Sequence, residues 1–217
     1  TINEKYVFDW LNCIKLFVVT DIFDKQYNGL KAISYFISEA KTMISTLKWF
    51  ETNPQNIFDC LSGKNLHKEF IPNYQLILSE LAASNILPDN YIDDLWEYHK
   101  VQYSTQLLQF FSIFVSIAAR LNVDKIQHLV TLCVKPNEIT EAWLTFMGQL
   151  GETIGKRNDD KDSFLLIRDS IFPIAFPQPS PEQETEEHKA AKEKLTLTAR
   201  DSLILILQYY LNLLQLF

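Results

Sequence analysis

Residues 105–120 read TQLLQFFSIFVSIAAR. Thr105, Gln109, Ser112, Ser116 and Arg120 follow one another at helical steps and define one narrow polar stripe. The rest of the segment, from Leu107 to Ala118, is apolar around most of the circumference. A helix with so thin a polar edge has to be covered on several sides. The end of the chain repeats the pattern. Asp201, Gln208, Asn212 and Gln215 form a thin stripe, and the sequence stops at Leu216-Phe217, still apolar. In a stack of helix pairs, each inner helix is covered by the pairs before and after it. An apolar last helix is what a cut through such a stack leaves. The reading is an all-α solenoid of stacked helix pairs, preferred over a closed bundle whose last helix is central.

Working outward, helical periodicity recurs along the chain. Val7, Trp10, Leu11, Ile14, Phe17 and Val18 share one face of a first helix. Asp21 to Asn28 reads as an interruption, with Gly29 preceding a second helix that keeps its spacing from Leu30 to Phe50. Asn53-Pro54 restarts the chain as a cap followed by Pro at the first helical position, and Gly63 is its expected stop. A helix from about Glu69 to Ser84 tolerates Pro72 only in its first turn. Pro88-Asp89 opens the next, carrying Tyr91, Ile92, Leu95 and Trp96. Asn122 and Asp124 cap a shorter helix reaching Val134, and Pro136-Asn137 begins one carrying Ile139, Trp143, Phe146 and Leu150. Gly148, Gly151 and Gly155 are expected to weaken its end, followed by a charged loop from Lys156 to Asp162. Phe164 to Phe172 is a further short helix. The expectation is about eight to ten helices and no strand.

Composition agrees. Five glycines and eight prolines in 217 residues are near half of the average usage of about 12%, too few turn formers for a many-stranded sandwich or barrel. Hydrophobic residues at 47% exclude a disordered chain. A net charge of −7 argues against a sequence-independent grip on nucleic acid, which needs a concentrated positive surface. The most apolar stretch, Leu203 to Phe217, is too short and too interrupted to span a bilayer, so no membrane insertion is expected. Three cysteines without a CxxC pair point to a reducing, cytoplasmic setting. No signal peptide is visible, and a chain opening on Thr1 is expected to be a fragment of a longer one.

The prolines mark the domain organisation. Pro173, Pro177, Pro179 and Pro181 are followed by Glu182, Glu184, Glu186 and Glu187, a run expected to form neither a helix nor a central strand. This gives a helical-repeat domain over 1–172, a Pro/Glu-rich linker over 173–186, and a C-terminal apolar helix over 187–217 packing on the same or the next repeat. Pro177, Pro179 and Pro181 favour an extended polyproline conformation that binds at little entropic cost, and they are the candidate protein-binding residues. A plain spacer is the simpler reading.

A family resemblance rests on several anchors. These are Gly29-Leu30-Lys31-Ala32-Ile33, Leu47-Lys48-Trp49-Phe50, and Asn56-Ile57-Phe58 through Leu66-His67. Asp93-Asp94-Leu95-Trp96 follows, then Ile117-Ala118 and Ile126-Gln127-His128-Leu129. Together they resemble the non-catalytic N-terminal helical region of the giant ubiquitin-specific proteases of the fat facets type. In that family a "GLKEI" helix, an "LAEW" element, an "LDxIW" helix and a "DLLxxLA…LDHLF" pair occur in this order. The resemblance covers roughly residues 25–155, about 60% of the chain, and runs from Trp96 to Leu129 without insertion or deletion. One departure is clear: where family members often carry a Lys-His pair, this chain has Gln102 and Tyr103. The resemblance implies an armadillo- or HEAT-like scaffold within a parent that is a ubiquitin carboxyl-terminal hydrolase, a cysteine protease.

The residues give no chemistry of their own. Cys13 and Cys60 fall on apolar helix faces and Cys133 ends a helix, whereas a reactive thiolate needs an electropositive, accessible setting. His128 and Cys133 lack the further ligands a zinc site requires. His67 and His99 read as surface or cap residues. Adjacent carboxylates on a helix diverge, so capping and solvation explain Asp93-Asp94, and Asp159-Asp160 likewise. No strand precedes the three glycines and no Lys-Ser/Thr follows them, so they are not a phosphate loop. Trp10, Trp49, Trp96 and Trp143 sit at core spacing. The expectation is therefore no catalytic residue, no metal and no cofactor in this segment. It is read as a protein-interaction scaffold that positions a ubiquitinated substrate or docks its own catalytic domain. The alternatives are a stand-alone helical adaptor or transport scaffold and, further off, a small helical enzyme using Cys133 or the acidic pairs.

Overall fold

The computed structural model describes residues 3–62, 66–101, 106–136, 138–157, 159–177 and 186–214. Among them every regular element is helical, so the fold is all-α. The chain forms two compact units, Thr1–Gln102 with Arg120–Asn122, and Tyr103–Ala119 with Val123–Phe217.

The first unit holds α1 (Glu4–Val18), α2 (Phe23–Ser38), α3 (Met43–Thr52), α4 (Gln55–Cys60), α5 (Ile71–Ala83) and α6 (Asp89–Glu97), with 3-10 turns before α5 and after α6. Here α1 packs against α2, α3 and α4, and α2 also packs against α5. Asn3 caps α1 by accepting from Lys5 N at 3.0 Å. Ile71, Tyr74, Ile77, Leu78 and Leu81 are all buried, as the periodicity predicts, and Pro72 sits in the first turn of α5. Asn85 closes that helix with φ of 56°, in the left-handed region that Asn tolerates, and Ile86 N donates back to Leu81 O at 2.9 Å. Tyr91, fully buried on α6, donates from Oη to Leu61 O at 2.6 Å.

The second unit holds α7 (Leu107–Ala118), α8 (Val123–Cys133), α9 (Glu141–Arg157), α10 (Lys161–Ala175) and α11 (Glu186–Leu214). α9 is central, packing against α7, α10 and α11. Phe110, Phe111, Ile113, Phe114, Ile117 and Ala118 of α7 are buried, while Gln109 is exposed. Trp143 Nε1 on α9 donates to Cys133 O at 2.9 Å. Although α11 is 29 residues long, no helix among the described residues is long and apolar enough to cross a membrane.

Several local expectations are corrected. Asp21 to Asn28 is not an interruption, since α2 begins at Phe23 and runs through Gly29. Gly29 serves close approach: a Cβ there would lie 2.7 Å from Val18 Cγ2 and 3.2 Å from Val18 N. The single helix expected from Leu30 to Phe50 is two, because Glu39 turns extended with ψ of 120° and Thr42 Oγ1 donates to Phe36 O at 2.6 Å. That split brings the described α-helices to eleven. α9 starts at Glu141 instead of Pro136-Asn137, since Thr140 Oγ1 accepts from Trp143 N at 3.1 Å as its cap. Ile139 therefore precedes the helix. Gly148, Gly151 and Gly155 lie within α9 and do not end it.

The charged loop shrinks from both sides: Lys156 and Arg157 finish α9, while Lys161 and Asp162 start α10. Pro173 lies inside α10, in its last two turns, and Phe176 N still donates to Phe172 O at 3.0 Å. So near the C-terminus, the lost amide is cheap enough for packing to outweigh it. Gln102, Tyr103, Thr105 and Gly63 lie outside the described residues, as do Asn137, Pro179, Pro181 and the acidic positions 182 and 184.

Candidate protein-docking surface

The α1 helix carries two apolar faces. Val7, Leu11 and Val18 are buried against the rest of the unit. Tyr6, Trp10, Cys13 and Phe17, spaced four, three and four apart, form a second stripe that is exposed. Trp10 is 63% exposed, a correction to its expected core position, and Cys13 is likewise on the surface. The other three tryptophans are buried.

Beside this stripe, α2 presents Tyr35, 64% exposed, and Phe36. Trp10 and Phe36 have ring centroids 6.0 Å apart, and Tyr35 meets Phe36 edge-on at 6.3 Å. The sharp exit from α2 at Glu39 closes one end. The result is a groove of about 730 Å³ with Tyr6, Trp10, Tyr35 and Phe36 along it and Glu39, Lys41 and Thr42 at its end. Aromatic faces with polar tips, grouped in the open, are the side chains that dominate protein interfaces. The 4-3-4 spacing of Tyr6, Trp10, Cys13 and Phe17 is the sequence signal for this surface. In sequence this stripe is indistinguishable from the buried face, because both faces of α1 are apolar.

The cysteines are unlike one another. Burial pushes the Cys60 thiol up to about 12, with the nearby Lys15 charge only partly offsetting it. Cys133, fully enclosed, is pushed well above the ordinary thiol range by burial. Neither supplies a thiolate near neutral pH. Among the described residues no group of three or more His, Cys, Asp and Glu is placed to hold a metal ion.

The acidic pairs have structural partners. Asp159 accepts from Arg157 at 2.7 Å, and that hydrogen bond holds its carboxyl below the usual range. Asp160 is buried and caps α10 by accepting from Ser163 N at 3.1 Å. Asp93 and Asp94 lie on the outward side of α6. His67 Nδ1 accepts from Glu69 N at 3.3 Å, a cap, with its ring edge-on to Phe23 at 4.8 Å. His99 is half-buried against Trp96, ring centroids 4.2 Å apart. Pro177 is exposed beyond the end of α10.

Against known proteins, the chain is 28% identical over 118 residues to ubiquitin carboxyl-terminal hydrolase 34 of Homo sapiens, which covers 52% of this chain and 3% of that protein. The Mus musculus protein of the same name matches at 28% over 118 residues, again 3% of its length. The chain thus spans a small fraction of these relatives. No family model matches it, and no solved structure does. What the similarity establishes is a distant relation to a ubiquitin-specific protease.

Proposed function

We propose that this chain is a non-catalytic protein-interaction segment of a large ubiquitin-specific protease. Its helices stack in armadillo- or HEAT-like fashion and work in the cytoplasm. The distant similarity to a ubiquitin carboxyl-terminal hydrolase is the observation that carries this reading. The all-α architecture and the fat facets resemblance agree with it. Cys60 and Cys133 are enclosed with raised thiol pKa, which agrees with a segment that binds and leaves the chemistry to another part of the parent.

In this reading the groove of Tyr6, Trp10, Tyr35 and Phe36 takes the ubiquitinated substrate or the parent's catalytic domain. Pro177, Pro179 and Pro181 are a further candidate contact for a protein partner.

The test uses the parent enzyme with and without these 217 residues. Cleavage of a minimal ubiquitin–fluorophore should be unchanged, while removal of ubiquitin from substrates captured through the segment should be lost. A parent coding region without a Cys-His protease domain would sink the reading. So would a covalent adduct between this chain and a ubiquitin vinyl sulfone probe.

A further inference from the structure

A second open surface lies wholly within the second unit, where α10 and α11 run side by side. Phe172 and Phe176, ring centroids 4.9 Å apart, face Leu203, Ile204 and Leu207 across a groove of about 530 Å³. Phe172, Phe176 and Ile204 are each about half exposed, at 52%, 52% and 50%. Two guanidiniums, Arg168 and Arg200, flank this apolar floor.

Their states differ. Arg168 is neutralised by its neighbour Asp169, with Nη2 2.6 Å from Oδ1. Arg200 has no carboxylate among the described residues. Its Nε donates to Ala175 O at 3.0 Å, and its guanidinium sits 5.6 Å from the centre of the Phe176 ring. That backbone hydrogen bond and the ring hold Arg200, an exposed residue, at the groove edge. A pre-positioned, uncompensated guanidinium beside an apolar trough selects locally for a carboxylate, a short-range preference that acts against the chain's overall charge of −7.

The geometry points to this groove as the docking site for an acidic amphipathic helix of a partner protein. The partner lays an i, i+3, i+4, i+7 apolar stripe on Phe172, Phe176, Ile204 and Leu207 and pairs a flanking Glu or Asp with Arg200. Charge complementarity commits the groove to an acidic helix over a basic one. The inference stands independently of the α1–α2 groove and of the ubiquitin relation.

The test is fluorescence anisotropy on the 217-residue chain with a labelled synthetic amphipathic peptide of about 18 residues, Leu on one face and Glu beside it. A Glu→Lys twin and a Leu→Ser twin serve as controls. Saturable binding of the acidic peptide is expected at about 0.15 M salt, where the long-range field of the chain's net charge is screened, about tenfold or more weaker for the lysine twin and absent for the serine twin. Arg200→Glu should invert the preference between the charged twins, and Ile204→Ser should weaken both.

Because Arg200 also holds Ala175 O, Arg168→Glu provides a second charge reversal that leaves that hydrogen bond intact. It should shift the preference in the same direction. Equal binding of the charged twins, no saturable binding, or charge reversals without effect would each overturn the proposal. Sedimentation showing a dimer broken by Ile204→Glu would also overturn it, assigning the groove to a second copy of the chain.

Discussion

Gly148 on α9 lies directly against Ser202 on α11: a Cβ on the glycine would come 2.9 Å from Ser202 Cβ and 3.1 Å from its Cα. Ser202 Oγ donates to Leu144 O, one turn earlier on α9, at 2.9 Å. The glycine permits the approach, and the serine, 3% exposed, finds its partner only because of it. These two residues set how closely the two longest helices of the second unit pack.

A comparison of two glycines follows from this contact. At Gly151 the obstructing atoms would be Ile206 Cγ1 and Cδ1, at 2.8 and 2.9 Å, the movable end of a side chain. At Gly148 they include the backbone. Alanine gains about 1 kcal/mol of helix propensity at either site, set against an overpacking cost of about 1–3 kcal/mol. Gly148→Ala, with backbone in the way, should therefore destabilise by up to about 2 kcal/mol, and Gly151→Ala by less. Urea unfolding of both variants measures the order, and the reverse order would contradict the packing described.

The helices themselves are legible in the sequence because a period of 3.6 survives even where no motif does. Ile71, Tyr74, Ile77, Leu78 and Leu81 keep that spacing and are buried. What covers a face is not legible. Trp10 and Leu11 share an apolar arc, yet one is open to solvent and the other enclosed, a difference made by α2, α3 and α4 and by nothing local to α1. Glycines mislead for the same reason. Gly29 and Gly148 look like breaks to a local rule, but their purpose is a neighbouring helix distant in sequence. The α2–α3 break is hidden because Ala40 and Ile44 keep the spacing across Glu39. The Arg200 groove needed α10 and α11 to be brought side by side before its charge and its apolar floor were seen together.

Thiol accessibility gives a chemical check on the placement of all three cysteines. Cys13 is exposed, Cys60 is buried with its thiol pushed up to about 12, and Cys133 is fully enclosed. A disulfide-exchange reagent such as DTNB at neutral pH should titrate one equivalent in the native chain and three after denaturation. Rapid native labelling of two or more would contradict the burial of α4 and of the end of α8. Cys13→Ser should abolish the native signal.

Acid should destabilise the first unit through His99. Burial is the main cause holding its imidazole below the ordinary value of 6.5, exceeding the contact with Trp96 O that favours the proton. With the native pKa lowered, the unfolded chain takes up the proton first as pH falls. The contribution of the neutral ring is complete above about pH 6.5 and is lost progressively as pH falls toward the native pKa. Thermal unfolding at about pH 7.5 and about pH 5.5 should show a drop for the native sequence that is smaller in His99→Gln. Equal drops in the two proteins would remove His99 from the account.

The sharpest contrast in the first unit is between two tryptophans that look alike in sequence. Trp49 is 3% exposed, and its Nε1 donates to Asn12 Oδ1 at 2.9 Å. Trp10 is 63% exposed, and its ring leans on Phe36 at the groove. Trp49→Ala opens a cavity and strips Asn12 of its donor, a loss of about 3–5 kcal/mol. Trp10→Ala removes an exposed ring and should cost no more than about 0.5–1 kcal/mol. Capture of partners through the α1–α2 groove should follow the opposite order. The stable Trp10 variant loses it, while Phe at position 49, which keeps most of the packing, retains it. A Trp10 variant that unfolds as readily as Trp49→Ala would mean the α1 stripe is covered within the unit and is not a docking surface.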